Sequence, residues 1–153
     1  GCHFIDFLTF LTGTPPVSVS AQALPDQGKY HQDNVEIQLR YPDGSLGIVT
    51  YLANGDKTIA KERVEVFCAG KVALLDDFRS LTLTNEGKSQ SIRSLWSQDK
   101  GHFNTWKTFL QAIKENKPSP LTLQEMWGVT AASFAALAAL QSGEKENVTP
   151  YPF

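Results

Sequence analysis

The sequence holds two cysteines, one methionine and no surplus of basic residues, and each scarcity excludes something. Two thiols, Cys2 and Cys68, are too few for a disulfide framework and stand at no metal-ligand spacing. Reduced thiols suit a cytoplasmic protein, which is the location the sequence leads us to expect. Fourteen Lys and Arg against sixteen Asp and Glu leave a net charge of -2. That balance argues against a nucleic-acid partner or an anionic membrane surface. No apolar run approaches the roughly 20 residues of a membrane span, the longest being broken by Ser133, Gln141 and Ser142. No leader segment is recognisable. Glycine-rich loops are lacking too: no Gly-x-Gly-x-x-Gly follows a strand and no Walker-type loop occurs, so no pyrophosphate cradle is expected in these residues. A Gly-x-Ser-x-Gly elbow is absent. The three histidines, His3, His31 and His102, have no ligand spacing with Cys or carboxylates, and no metal is expected.

What is present is ordinary globular material, 41% hydrophobic and 20% charged, enough in 153 residues for one domain with a core. Residues 2–12 carry an apolar stripe of Phe4, Phe7, Leu8 and Leu11 at helical spacing, stopped by Gly13 and then Pro15-Pro16. Alternation predicts strands over 17–21, 35–41, 46–52, 63–68, 72–75, 80–84 and 91–95, with Pro42-Asp43-Gly44-Ser45 as the clearest hairpin turn. Short turns make consecutive strands antiparallel. Phe103, Trp106, Phe109, Leu110 and Ile113 mark a second helix, and Thr122-Leu-Gln-Glu125 reads as the capping box of a third that stops at Gly143. The fold class is α+β: a largely antiparallel open sheet of about six strands with helices packed on one face. Ile48, Tyr51, Val66, Leu74 and Leu83 exceed what one helical layer covers, so either the second face is an oligomer interface or the alternation is merely mixed.

His3 and Asp6 stand i, i+3 at the head of the first helix, on roughly one face. An imidazole titrates near neutral pH and a neighbouring carboxylate can fix its tautomer, so the pair can move a proton. It can equally be a structural pair. On spacing alone the structural reading is the better one.

Several segments together resemble the C-terminal domain of GFO/IDH/MocA-type oxidoreductases, the glucose–fructose oxidoreductase and inositol dehydrogenase superfamily. They are Gly1-Cys-His-Phe-Ile-Asp-Phe-Leu-Thr-Phe-Leu-Thr-Gly13, Tyr41-Pro-Asp-Gly-Ser-Leu-Gly47, Glu62-Arg-Val-Glu-Val-Phe67 and Phe109-Leu-Gln-Ala-Ile-Lys-Glu-Asn-Lys-Pro118. The resemblance implies that residues 1–153 are one C-terminal domain for substrate binding and oligomerisation, and that a dinucleotide-binding Rossmann domain lies outside these residues. It implies NAD or NADP held mainly by that other domain, and a sugar, polyol or sugar nucleotide as substrate. It also implies a homodimer or tetramer built through the sheet face. His3 matches the family's active-site histidine. Asn54, Asp56 and Lys57 match a loop that reaches the substrate, and Lys100 and His102 precede a helix near the same cleft. For these five residues a solvated turn or a polar helix start remains the alternative. Trp96, Trp106 and Trp127 read as core or interface anchors rather than sugar platforms. Fold resemblance leaves a second function open, a non-catalytic binding or dimerisation module on the same fold. Whether these residues form an enzyme depends on the other half.

Overall fold

The structure, a computed structural model, describes residues 1–25, 28, 32–94 and 98–153. His31, Leu95 and Trp96 lie outside the described residues, and with them the end of the strand expected over 91–95. In chain order the elements are α1 (Cys2–Thr12), β1 (Ser18–Ala23), β2 (Asn34–Arg40), β3 (Leu46–Leu52), β4 (Arg63–Cys68), β5 (Lys71–Asp76), β6 (Ser80–Asn85), β7 (Lys88–Arg93), α2 (His102–Lys114), α3 (Leu123–Ser142) and β8 (Glu146–Asn147).

The class is α+β and the strand pairs are antiparallel. The strands are divided between two four-stranded sheets, β3-β2-β1-β8 and β4-β5-β6-β7, rather than about six in one. The polar segment between β3 and β4 is long enough that those two strands need not pair. β8 is a two-residue strand in the tail, too short to show alternation, and it adds to β1 by pairing Ser18 with Asn147. The chain forms two compact units, Gly1–Asn54 with Leu121–Phe153, and Gly55–Pro120.

In the first unit α1 ends where Gly13 takes φ 73, which lets its amide donate to the Thr9 carbonyl at 2.8 Å. Ile5 of α1, Val19, Ile37, Leu39 and Val49 of the strands, and Ala132, Ala135, Ala136 and Ala139 of α3 form the core. Both helices of this unit therefore lie on one face of the first sheet. The alanines let α3 approach β1 closely, as a small-residue face permits. Tyr41 is buried in the same core, and burial pushes its phenol above the ordinary value, opposed by the neighbouring Thr9 hydroxyl.

The expected capping box is present. The Thr122 amide donates to Glu125 Oε2 at 2.7 Å, and the Glu125 amide donates to Thr122 Oγ1 at 3.1 Å. Thr122→Ala is expected to destabilise the unit by about 1 kcal/mol, read from chemical denaturation. The Thr122 amide, and after it the Thr122 hydroxyl, hold the Glu125 carboxyl below the usual carboxylate range. Its share of stability is therefore present above the ordinary carboxylate pKa and lost as pH falls through the folded value.

The five apolar residues expected on one uncovered face are dispersed. Ile48 faces away from the helices with Leu46 and Leu52, whereas Tyr51 shares the helix side with Val49, because alternate residues of a strand face opposite ways. Val66 and Leu83 share one face of the second sheet, and Leu74 points to the other. The second unit is a meander. Its turns Ala69-Gly70 and Glu86-Gly87 take positive φ at both positions, the geometry that matches strand twist in two-residue hairpins, and Asp77 and Phe78 of the three-residue β5–β6 turn take positive φ as well.

Candidate functional site

α1 runs along β2. The Cβ position of Gly1 lies 3.9 Å from Ile37 Cδ1, while Leu8 Cδ1 reaches the Cβ position of Gly47, beside Tyr41. The head of α1 therefore points to the end of the first sheet where β2 begins and β3 finishes. His3, the second residue of α1, lies on the side away from Ile5 and Thr9 and is exposed. Asp6 is exposed as well, and among the described residues neither side chain makes a hydrogen bond or ion pair. A carboxylate fixing the His3 tautomer is thus not formed here. The i, i+3 spacing brings the two to one side of the helix without joining them.

Asn54 sits at the same end of the sheet. Its amide donates to Asn34 Oδ1 at 3.0 Å, and Asn34 Nδ2 donates to Asp33 Oδ1 at 2.8 Å. Asn34 is 2% exposed, the first residue of β2, and pairs with Leu52. A buried amide at a strand end fixes where the loop after β3 leaves the sheet. Sequence reading passed over Asn34 because it looks like an ordinary strand start; the signal was an Asn beside an Asp directly before an alternating run.

The remaining candidates belong to the second unit. Asp56 Oδ1 accepts from the Thr58 amide at 2.8 Å and the Thr58 hydroxyl at 2.7 Å. These bonds, the amide first, hold its carboxyl below the usual range. Lys57 is exposed. Lys100 is engaged: its Nζ pairs with Glu62 Oε1 at 2.7 Å and lies 5.6 Å from the centre of the Phe78 ring. His102 is the exposed first residue of α2, whose N-cap is Gly101 at φ 75. Glu62 and Phe78, both outside the sequence-level candidates, thus decide where Lys100 points. Gln98 Nε2 on Asp77 Oδ1 at 2.6 Å, and the Asp99 amide on the Phe78 carbonyl at 3.1 Å, fasten the same segment to the β5–β6 turn.

His3 and Asn54 therefore belong to the first unit, and Asp56, Lys57, Lys100 and His102 to the second. Among the described residues no group of three His, Cys, Asp or Glu side chains could hold a metal ion, and no helix is long and apolar enough to cross a membrane. Cys2 and Cys68 are free and exposed. A shallow depression of about 430 Å³ lies on the second sheet over Val66, Ala73 and Leu83 and includes none of the candidate residues.

Two comparisons say what the chain is similar to. Residues 1–72, a little under half of the chain, match the family model described as the GFO/IDH/MocA C-terminal domain. Solved structures share the fold over nearly the whole chain. Levoglucosan dehydrogenase in complex with NADH and levoglucosan is 14% identical with a TM-score of 0.80, over 98% of this chain and 49% of that one. The aldose–aldose oxidoreductase of Caulobacter crescentus, complexed with glycerol, is 18% identical with a TM-score of 0.74, over 96% and 45%. The UDP-N-acetylglucosamine 3-dehydrogenase of Acidithiobacillus ferrooxidans is 19% identical with a TM-score of 0.70, over 92% and 46%. At these identities the likeness is one of fold, and the chain spans about half the length of each relative. No curated protein matches the sequence.

Proposed function

We propose that this chain is the substrate-binding and oligomerisation half of an NAD(P)-dependent oxidoreductase acting on a hydroxyl or carbonyl of a sugar, polyol or sugar nucleotide. The observation that carries the reading is His3. It is an exposed imidazole at the head of α1, inside the segment that matches the family model. The relatives of like fold are oxidoreductases of sugars or sugar nucleotides, one of them in complex with NADH.

The nicotinamide cofactor supplies the hydride acceptor in the oxidising direction, and this chain supplies none of the glycine-rich loops that hold a pyrophosphate. The cofactor is therefore assigned to the other half. His3 takes the hydroxyl proton as the carbinol C–H pair leaves, so that the C–O bond gains its second bond without building up charge on oxygen. Asn54, Asp56 and Lys57, with Lys100 and His102, offer amide, carboxylate, ammonium and imidazole groups, the donor and acceptor types that recognise hydroxyl-rich ligands.

The test is nicotinamide reduction by the full-length enzyme across aldoses, polyols and sugar nucleotides. NADH or NADPH formation with a member of that set is expected, and none with any of them overturns the reading. A second expectation concerns the 153-residue chain by itself: titrated with NADH or NADPH, it leaves nicotinamide fluorescence unchanged. Saturable micromolar binding would place the cofactor here instead.

A further inference from the structure

Asn54 precedes a glycine; the other five of the six asparagines precede valine, glutamate, threonine or lysine. Glycine has no Cβ, so nothing shields its amide nitrogen from the side chain one residue back. The Asn54-Gly55 pair lies in the polar segment after β3, outside helix and strand, and both residues are exposed. Its two sides are held differently. Upstream, the Ala53 amide donates to the Asp33 carbonyl at 3.1 Å and the Asn54 amide to Asn34 Oδ1 at 3.0 Å. Downstream, neither the Asn54 side chain nor the Gly55 amide makes a hydrogen bond among the described residues. The amides that follow three of the other asparagines are engaged. Thr105 donates to the Gly101 carbonyl at 2.9 Å, Lys117 to that of Ala112 at 2.9 Å, and Val148 to that of Val17 at 3.0 Å. Asp43-Gly44 is the nearest chemical parallel, but its carboxylate is tied down: Oδ1 accepts from the Ser45 amide at 2.9 Å and Oδ2 from the Ser45 hydroxyl at 2.9 Å.

We propose that Asn54 is a site of spontaneous covalent modification, in which the free Gly55 amide nitrogen attacks the Asn54 side-chain carbonyl and the residue becomes aspartate or isoaspartate. In the first step a bond forms between the Gly55 nitrogen and Asn54 Cγ. The bond from Cγ to the side-chain nitrogen breaks, and that nitrogen leaves as ammonia with the proton given up by the Gly55 amide. In the second step water adds to one of the two carbonyls of the five-membered ring and reopens it. One water is consumed, one ammonia is released, and nothing is oxidised or reduced. Aspartate adds one negative charge to the chain's -2 and replaces a group that donates and accepts by one that only accepts. Isoaspartate runs the main chain through the side chain, one carbon longer. That extra carbon falls between the amide anchored on Asn34 and Gly55, where the first compact unit gives way to the second. The chemistry goes beyond the proposed function and does not depend on it.

Incubating the full-length protein in warm, mildly alkaline buffer, with peptide mass mapping over time, tests it. The expected result is ammonia release and exchange of NH2 for OH, confined at first to the peptide holding Asn54. Isoaspartate is read there by enzymatic methylation of its free α-carboxylate. Rising pH should speed the reaction, because the attacking amide must lose its proton. Gly55→Ala should slow it by about tenfold, since a Cβ crowds the attack. An unchanged mass at Asn54 overturns the proposal, as does earlier conversion of another of the six asparagines. Aspartate formed without isoaspartate, or at the same rate in Gly55→Ala, also overturns it, because water then hydrolyses the side chain directly. The isoaspartate readout needs no variant, and none of these outcomes depends on the sugar assay, so the two proposals fail separately.

Discussion

If the proposed function holds, replacing His3 by alanine in the full-length protein lowers turnover by about 10² to 10⁴-fold, the scale of a lost general base. The loss should fall on the proton-transfer step, so the limb of the pH–rate profile that reports the base disappears. Affinity for the nicotinamide cofactor should hardly change, because the cofactor is assigned to the other half. Stability supplies the control. His3 is exposed and makes no hydrogen bond or ion pair among the described residues, so His3→Ala should stay within about 0.5 kcal/mol of the unsubstituted chain in denaturation. Undiminished turnover in the variant would leave His3 an ordinary surface residue and remove the observation on which the proposed function stands.

The largest structural effect is expected at Gly128, in the first half of α3. A methyl group built there would collide with Cβ and Cγ of Pro15, closer than side-chain carbons approach. Alanine would improve helix propensity by about 1 kcal/mol over glycine. Overpacking ordinarily costs about 1–3 kcal/mol, and here the obstacle is a rigid ring in the Pro15-Pro16 pair that cannot swing aside. The clash outweighs the propensity gain. Gly128→Ala should destabilise by about 2 kcal/mol, lowering the melting temperature by roughly 4–8 °C for a chain of this size. Combining it with Pro15→Ala should return most of that loss, since the two positions are in contact and their effects couple. A single Gly128→Ala variant that melts higher than the parent would show that α3 is not seated against the Pro15 turn.

These two residues mark what could be read in the amino-acid chain. His3 is a candidate because three signals coincide there: helical spacing with Asp6, a glycine stop at Gly13, and a motif that resembles a known family. Gly128 is not, because a glycine within an alanine-rich helix has no local signature; only the approach of Pro15 gives it a role. The same holds for Asn34, Glu62 and Phe78. Asn34 anchors a loop twenty residues away, and Glu62 reaches Lys100 across thirty-eight. Contacts at that separation leave no trace in periodicity.

Local physics was sufficient for the elements. Alternation set the strands from β1 to β6, the Thr122–Glu125 box set the start of α3, and glycines at 13 and 143 set two helix ends, each through interactions within a few residues. Sequence also determined the α+β class, since short turns between alternating runs admit only antiparallel neighbours. Tertiary structure decided how the strands were shared. Pairing between β3 and β4 competes with closing β3-β2-β1-β8 and β4-β5-β6-β7 as separate sheets, and that balance depends on long-range burial, to which a period of two is blind. It decided which apolar residues face a helix, burying Val49 and leaving Ile48, one step away along the same strand, exposed. And it decided that the core belongs to the first unit: the alanines of α3 allow close packing on β1, while the β4–β7 sheet has no comparable layer among its own described residues.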